Sequence, residues 1–211
     1  VIVRPELQAI VDFTDPVRTN VSEVIVSGPG APAIATVDDL AGQDVYARKE
    51  SSAWQSLVEL NGRLEAKGLE PVVLREVPGN LEDDDLLEMA NAGIVPLVVT
   101  HDYLAEFWKQ VFTDLTVHDT VAVRTGATLA VPIRKNSPRL AAELNAFLAK
   151  NGLGTAFGNM IEKRYLVSTK FAKSATSESE RTKVTALAQF VKKHGDQYDM
   201  DYILMAAQGY Q

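Results

Sequence analysis

The sequence has no cysteine among its 211 residues. This absence excludes disulfide bonds, thiolate metal sites and a cysteine nucleophile, and it is compatible with both the cytosol and the bacterial periplasm. Histidine is also scarce, and the spacing of His101, His118 and His194 does not match a His-x-x-x-His zinc motif. We therefore expect neither a metal ion nor a cofactor.

Basic charge and long apolar runs are lacking as well. Lysine and arginine number 21 against 28 aspartates and glutamates, which gives a net charge of −7. Proteins that hold nucleic acids by their phosphates carry a basic excess, so we expect no nucleic-acid partner.

The longest apolar runs, such as residues 94–100, fall far short of the roughly 18 residues of a membrane span. The chain starts at Val1 without a visible signal peptide, and we interpret it as a processed or truncated piece of a longer protein.

The sequence does contain an α/β pattern. Strands are predicted at residues 21–27, 44–47, 71–74, 94–99, 120–124 and 128–133. Helices are predicted from Ser51-Ser52, Leu81, Asp102 and Ser137, at 184–193 and from 199. Gly126 marks a turn between the last two strands. Strands that alternate with helices of this length indicate βαβ units, so we expect an α/β fold with a mostly parallel sheet and extra C-terminal helices.

Ser51 and Ser52 stand where a predicted strand gives way to a helix. The free N–H groups of a helix start, together with two hydroxyls, can hold a carboxylate or a phosphate. The alternative is that one serine simply caps the helix. No glycine-rich phosphate-binding motif accompanies the two serines, which argues against a nucleotide.

Two further groups of polar residues have competing interpretations. His101 and Asp102 follow a predicted strand at its carboxyl end, where open α/β sheets bind ligands. Asp102 is also a good N-cap, and His101 is either a cleft wall or a solvated turn residue. The acidic run at residues 82–85 is either a carboxylate cluster or a solvated first turn that the helix dipole favours. Consecutive acids point around a helix axis, which favours the solvated turn.

Several segments resemble family-3 extracellular solute-binding proteins. They are residues 4–16, 20–26, 38–42, 51–52, 128–138 and 144–148, in the order of the family. The resemblance implies one lobe of a type-II periplasmic-binding-protein-like fold. Residues 202–211 are similar to the first helix of a lytic transglycosylase domain. The combination resembles the membrane-bound lytic murein transglycosylase F family.

The resemblance also implies a ligand site. In the family an arginine binds the carboxylate of an amino acid and an acid binds its ammonium group. Here the arginine position aligns with Leu7, with Arg4 nearby, and the acid position aligns with His101. These departures argue against an ordinary amino acid as the ligand. A cleft of this family needs both lobes, and the first contributes only residues 1–16, so we expect free amino acids to bind weakly or not at all. The ligand-binding residues that we predict are Ser51, Ser52, Trp54, His101 and Asp102.

The same resemblance implies a domain organisation. Residues 1–37 correspond to the end of lobe one and the first hinge crossing, and residues 38–126 to a complete lobe two. Residues 127–167 correspond to the second hinge strand and the returning helices. Residues 168–198 are a linker and a helix, and residues 199–211 are the start of a truncated transglycosylase-like domain. The apolar N-terminal residues, Ile2 among them, would cover the C-terminal helices or pair with a second copy in a homodimer.

The function implied is a sensing or regulatory module of a periplasmic lytic transglycosylase, membrane-associated in its parent. Its ligand would be an amino acid, a peptide or a muropeptide, and the parent's missing domain would bind peptidoglycan. The alternative is the solute-binding protein of an amino acid importer. The general-acid glutamate of a transglycosylase would follow Gln211, so we assign no catalytic residue to this chain.

Overall fold

The computed structural model describes residues 1–175, 178–198, 200–201, 204–205 and 208. They form two compact units that divide between Val167 and Ser168. The strands of the first unit are β1 (Val11–Phe13), β2 (Arg18–Ser27), β3 (Asp44–Ala47), β4 (Val73–Glu76), β5 (Leu97–His101), β6 (Thr116–Leu129) and β7 (Pro132–Arg134). Its helices are α1 (Pro5–Ile10), α2 (Ser52–Ala66), α3 (Asp83–Asn91), α4 (Asp102–Trp108), α5 (Pro138–Asn151) and α6 (Ala156–Glu162), with a 3₁₀ turn at Val37–Leu40 and a π-helical turn at Lys163–Val167.

Five strands form one sheet in the order β4-β3-β5-β2-β6. Strand β3 pairs in parallel with β4 and with β5, as the alternating pattern predicts. Strand β2 pairs antiparallel with β5 and β6, so the sheet as a whole is mixed. A separate antiparallel pair joins β1 and β7. The α/β class predicted from the sequence is confirmed.

The turn predicted at Gly126 is wrong, because β6 runs without interruption from Thr116 to Leu129. Gly126 does adopt a left-handed conformation, with φ of 66°. Val21 pairs with Ala127 and Glu23 pairs with Arg124, so β6 has one residue more than β2 between these pairs. Gly126 therefore lies in a β-bulge. Sequence alone did not separate the two outcomes because a bulge and a hairpin turn both favour glycine.

The sheet buries both of its faces. On β2, Ile25 belongs to the apolar cluster under α2, whereas Val24 and Val26 belong to the cluster under α3 and α4. Strand β5 divides in the same way, with Leu97 on the α2 face and Val98 on the other. Successive side chains of a strand point to opposite faces, so a run of apolar residues is needed where helices cover both.

Helix α2 forms where its local signals place it. The hydroxyl Oγ of Ser51 accepts the N–H of Trp54 at 3.2 Å and so caps the helix. Leu57, Leu60 and Leu64 face the core and are at most 2% exposed. Gly68 follows the helix at φ 73°, and the N–H groups of residues 68 and 69 return to the carbonyls of residues 65 and 64. These two bonds form a Schellman motif, which fixes the end of the helix.

The N-terminal segment lies on the first unit. Ile2 is 2% exposed, bridges Leu129 and packs with Val21 and Ala127. The prediction that this segment covers the C-terminal helices is therefore wrong for Ile2, because residues of β2 and β6 provide the cover. The homodimer stays a prediction.

The second unit contains α7 (Lys170–Ala175) and α8 (Glu178–Tyr198). The helix predicted at residues 184–193 lies inside α8, which begins earlier and ends later. The segment 202–211, predicted to begin an enzyme domain, falls mostly outside the described residues. Within the described part of the chain, no helix has both the length and the apolarity to cross a membrane.

Candidate functional site

The carboxyl end of β5 and the start of α2 meet at a cavity of about 270 Å³. The N-terminal residues and β2 complete its wall, which includes Arg4, Glu23, Arg48, Ser51, Ser52 and His101. The cavity is large enough for several water molecules or for a small solute. A wider cleft of about 620 Å³ shares Arg48, Glu50 and Ser51 with it, so a larger solute can extend into that cleft.

The structure brings three of the five predicted ligand-binding residues to this cavity: Ser51, Ser52 and His101. Ser51 is occupied by its capping role, since its hydroxyl also donates to the carbonyl of Arg48 at 2.6 Å. The N–H groups of Ser52 and Ala53 are the first two of α2, and a helix provides no carbonyl for them. Both residues line the cavity, so these two N–H groups can donate to an anion that binds there.

The other two predicted residues are placed elsewhere. Trp54 packs against the core cluster under α2. Asp102 is the first residue of α4 and is engaged by the backbone, since its two carboxylate oxygens accept the N–H groups of Ser22 at 3.0 Å and Tyr103 at 2.8 Å. Neither residue is among those that line the cavity. Their role in binding stays a prediction.

Arg4 is a cavity residue that no local motif identifies. It occupies the N-cap position of α1 without a capping hydrogen bond from its side chain, and it is only 7% exposed. Its Nε and Nη1 atoms are buried and have no hydrogen-bond partner among the described residues. A guanidinium group carries five donors in a planar fork that matches a carboxylate. Buried donors without a partner are costly, so this group gains from an anionic ligand.

Glu23 is a cavity residue that the sequence analysis did not single out. It is 1% exposed and lies on β2 directly opposite His101 of β5. Its Oε2 accepts the hydroxyl of Ser56 and lies 3.5 Å from Nε of Arg124. Its Oε1 is buried without a partner among the described residues. The signal was present in the sequence, because Glu23 is the one charged residue in the predicted strand 21–27.

The acidic run at residues 82–85 contributes to the cavity wall through Asp83. Arg48 donates to Glu82 and to Asp83, at 2.8 Å each, and Thr100 donates to Asp83 at 3.2 Å. The prediction of a solvated first turn is therefore wrong for Asp83, which fixes Arg48 at the cavity. No group of three or more His, Asp or Glu side chains suited to a metal ion occurs in the part of the chain that the structure describes.

Aromatic and cationic groups stack behind His101. Its ring stacks on Tyr103 with the centroids 5.6 Å apart, and the guanidinium of Arg18 lies 4.3 Å from the Tyr103 centroid. Arg18 in turn donates to both carboxylate oxygens of Glu162 at 2.7 Å. Nε2 of His101 is buried without a hydrogen-bond partner among the described residues. This stack joins the cavity to the residues that end α6.

Tyr103 should ionise at a higher pH than an exposed tyrosine, because its pKa is raised. Burial raises the pKa of Tyr103, although the nearby Arg18 partly opposes the shift. The neutral phenol is therefore favoured in the folded chain, and the stability that it contributes is lost as the pH rises from about 10 through its folded pKa. A spectrophotometric titration of the folded protein should show a late tyrosine transition that Tyr103→Phe removes and Tyr198→Phe keeps. An unchanged titration in Tyr103→Phe would contradict the assignment.

Comparisons with known proteins agree with the α/β fold. No protein-family model and no curated protein match the sequence. Solved structures do match: an amino acid ABC transporter substrate-binding protein from Streptococcus pneumoniae bound to L-arginine is 19% identical, with a TM-score of 0.61 over 84% of this chain and 68% of its own. An ancestral arginine-binding protein bound to glutamine is 19% identical, with a TM-score of 0.59 over 80% of this chain and 69% of its own. An ancestral amino acid-binding protein, a precursor of cyclohexadienyl dehydratase, is 20% identical, with a TM-score of 0.62 over 79% of this chain and 66% of its own.

Proposed function

We propose that the 270 Å³ cavity binds a small solute of the amino acid type, as in the solute-binding component of an amino acid importer. The observation that carries this proposal is Arg4, a buried guanidinium whose Nε and Nη1 lack partners beside the free start of α2. Together they offer a carboxylate a bidentate partner and two backbone N–H groups. Structural neighbours that bind arginine or glutamine support the choice of solute.

The proposal also covers the location of the protein. An importer component of this kind works outside the cytoplasmic membrane, and we propose the periplasm. The absence of cysteine fits an oxidising compartment but does not select it.

Arg4→Met tests the role of Arg4 in binding. Isothermal titration of the wild-type chain with each of the 20 amino acids should identify at least one that binds. A hydrogen bond to a charged group contributes about 1.5–3 kcal/mol, so Arg4→Met should weaken that affinity roughly 10- to 100-fold. Arg139→Met is the control, because Arg139 is exposed on α5 and away from the cavity. Equal affinities in the two variants, or no amino acid bound by the wild type, would contradict the proposal.

The second candidate function is the regulatory module of a lytic transglycosylase. It rests on residues 202–211 of the sequence, and the structural neighbours favour the importer component instead. A muropeptide in the same titration separates the two. Muropeptide binding without amino acid binding would favour the regulatory module, and the reverse would favour the importer component.

A further inference from the structure

Arg48 lines both the 270 Å³ cavity and the wider cleft, and its side chain is held at its tip. Its Nη1 and Nη2 atoms donate to Glu82 and Asp83, at 2.8 Å each, and its own carbonyl accepts the N–H of Ser51 at 3.0 Å. Its Nε is buried and has no hydrogen-bond partner in the part of the chain that the structure describes. A buried donor without a partner is costly, so Nε of Arg48 gains from an acceptor that the solute brings.

The charges around Arg48 favour a neutral acceptor over a second carboxylate. Four carboxylates and two cations surround the place where the cavity and the cleft meet: Glu50, Glu76, Glu82, Asp83, Arg48 and Lys49. The carboxylates outnumber the cations, and like charges repel one another across a binding interface. A side-chain carboxylate on the solute would therefore be disfavoured next to Arg48.

A carboxamide is a neutral group that suits this surrounding. It has a carbonyl oxygen that accepts hydrogen bonds and an amino group that donates two. The oxygen can accept from Nε of Arg48, and the amino group can donate to Glu50, which lines the cavity and the cleft as Arg48 does. An apolar side chain of the same shape can make neither bond.

We propose that the solute carries a carboxamide side chain, as glutamine and asparagine do, and that Arg48 selects it by donating from Nε to its carbonyl oxygen. This inference rests on the proposed function, in which the carboxylate of the same solute lies at Arg4 and the start of α2. Arg48 is fixed before the solute arrives, since Asp83 holds it and is itself held by Thr100 at 3.2 Å. A donor that is already ordered loses little conformational freedom when the solute binds.

The experiment compares each carboxamide with its acid and with an apolar side chain of the same shape. Isothermal titration would use L-glutamine, L-glutamate and L-homoleucine, and also the shorter set of L-asparagine, L-aspartate and L-leucine. Arg48→Lys keeps a positive charge beside Asp83 but has no donor at the position of Nε. Arg75→Lys is the matched control, because Arg75 binds Asp44 at the surface and is not among the residues that line the cavity or the cleft. A thermal melt of each variant checks that it folds.

We expect the wild type and Arg75→Lys to bind one of the carboxamides at least about tenfold more tightly than its acid and its apolar counterpart. In Arg48→Lys the carboxamide and the apolar amino acid should bind within about threefold of each other, because the donor that distinguishes them is gone. A purely structural role of Arg48 would weaken both ligands alike and keep the ratio of their affinities. An unchanged ratio in Arg48→Lys would therefore overturn the inference.

The wild type separates this inference from the proposed function. A wild type that binds amino acids but does not prefer a carboxamide overturns the inference and leaves the proposed function standing. A wild type that binds none of the 20 amino acids overturns both. If Arg48→Lys does not fold, the comparison of carboxamide, acid and apolar side chain in the wild type decides alone.

Discussion

Gly28→Ala is expected to destabilise the first unit by about 3 kcal/mol, the upper end of the usual cost of overpacking. A Cβ atom at Gly28 would lie 1.9 Å from the carbonyl oxygen of Ala90 and 2.7 Å from its carbonyl carbon. Neither partner can move cheaply. The N–H of Gly28 donates to the carbonyl of Pro96, and the carbonyl of Ala90 accepts the N–H of Gly93 at the end of α3. The clash is between two backbone segments, so a change of side-chain rotamer does not relieve it.

Gly62→Ala is the matched control for this substitution. Gly62 is exposed in the interior of α2, and a Cβ atom there meets nothing within 4 Å. Alanine is a better helix former than glycine, so Gly62→Ala should stabilise by about 0.5–1 kcal/mol. Urea unfolding followed by tryptophan fluorescence measures both variants, because Trp54 and Trp108 lie in the first unit. A wild-type midpoint for Gly28→Ala would show that Gly28, just after β2, and Ala90 of α3 do not approach as closely as the structure indicates.

Much of the fold followed from local signals. Helix α2 begins after Ser51 and ends before Gly68, as the sequence predicts, because a cap depends only on the nearest residues. The starts of β4 and β5 were predicted too early, since the apolar runs at residues 71 and 94 begin before the ladder does. Pro71 and Pro96 lack the N–H that a ladder requires, and the strands begin after them.

The candidate site was predictable only in part. Ser51, Ser52 and His101 reach one cavity because the carboxyl ends of parallel strands share an edge of the sheet. Arg4 and Glu23 join them through pairings that no local pattern encodes. The place of Glu23 opposite His101 depends on the register between β2 and β5, which are separated by more than 60 residues in the sequence.

Arg124→Met is expected to cost about 3–5 kcal/mol, because it leaves a buried carboxylate without its cation. Nε of Arg124 donates to the hydroxyl of Ser56 at 2.8 Å, and that hydroxyl donates to Glu23, which is 1% exposed. Arg124→Met removes the guanidinium from this series of hydrogen bonds and leaves the Glu23 carboxylate without its cation. Arg75→Met is the matched control, because its bond to Asp44, at 3.0 Å, joins side chains that are 52% and 38% exposed. Such a surface pair contributes about 0–1 kcal/mol.

The double variant Arg124→Met with Glu23→Gln separates loss of charge balance from loss of packing. If the unpaired charge of Glu23 is the cause, a neutral side chain in its place should recover most of the stability, and the coupling between the two substitutions should exceed about 1 kcal/mol. If the packing of the Arg124 stem is the cause, the double variant should be no more stable than Arg124→Met alone. Urea unfolding of the four chains by tryptophan fluorescence gives the coupling. A loss in Arg124→Met no larger than that in Arg75→Met would show that the fold does not depend on Arg124 to keep the Glu23 carboxylate at the cavity.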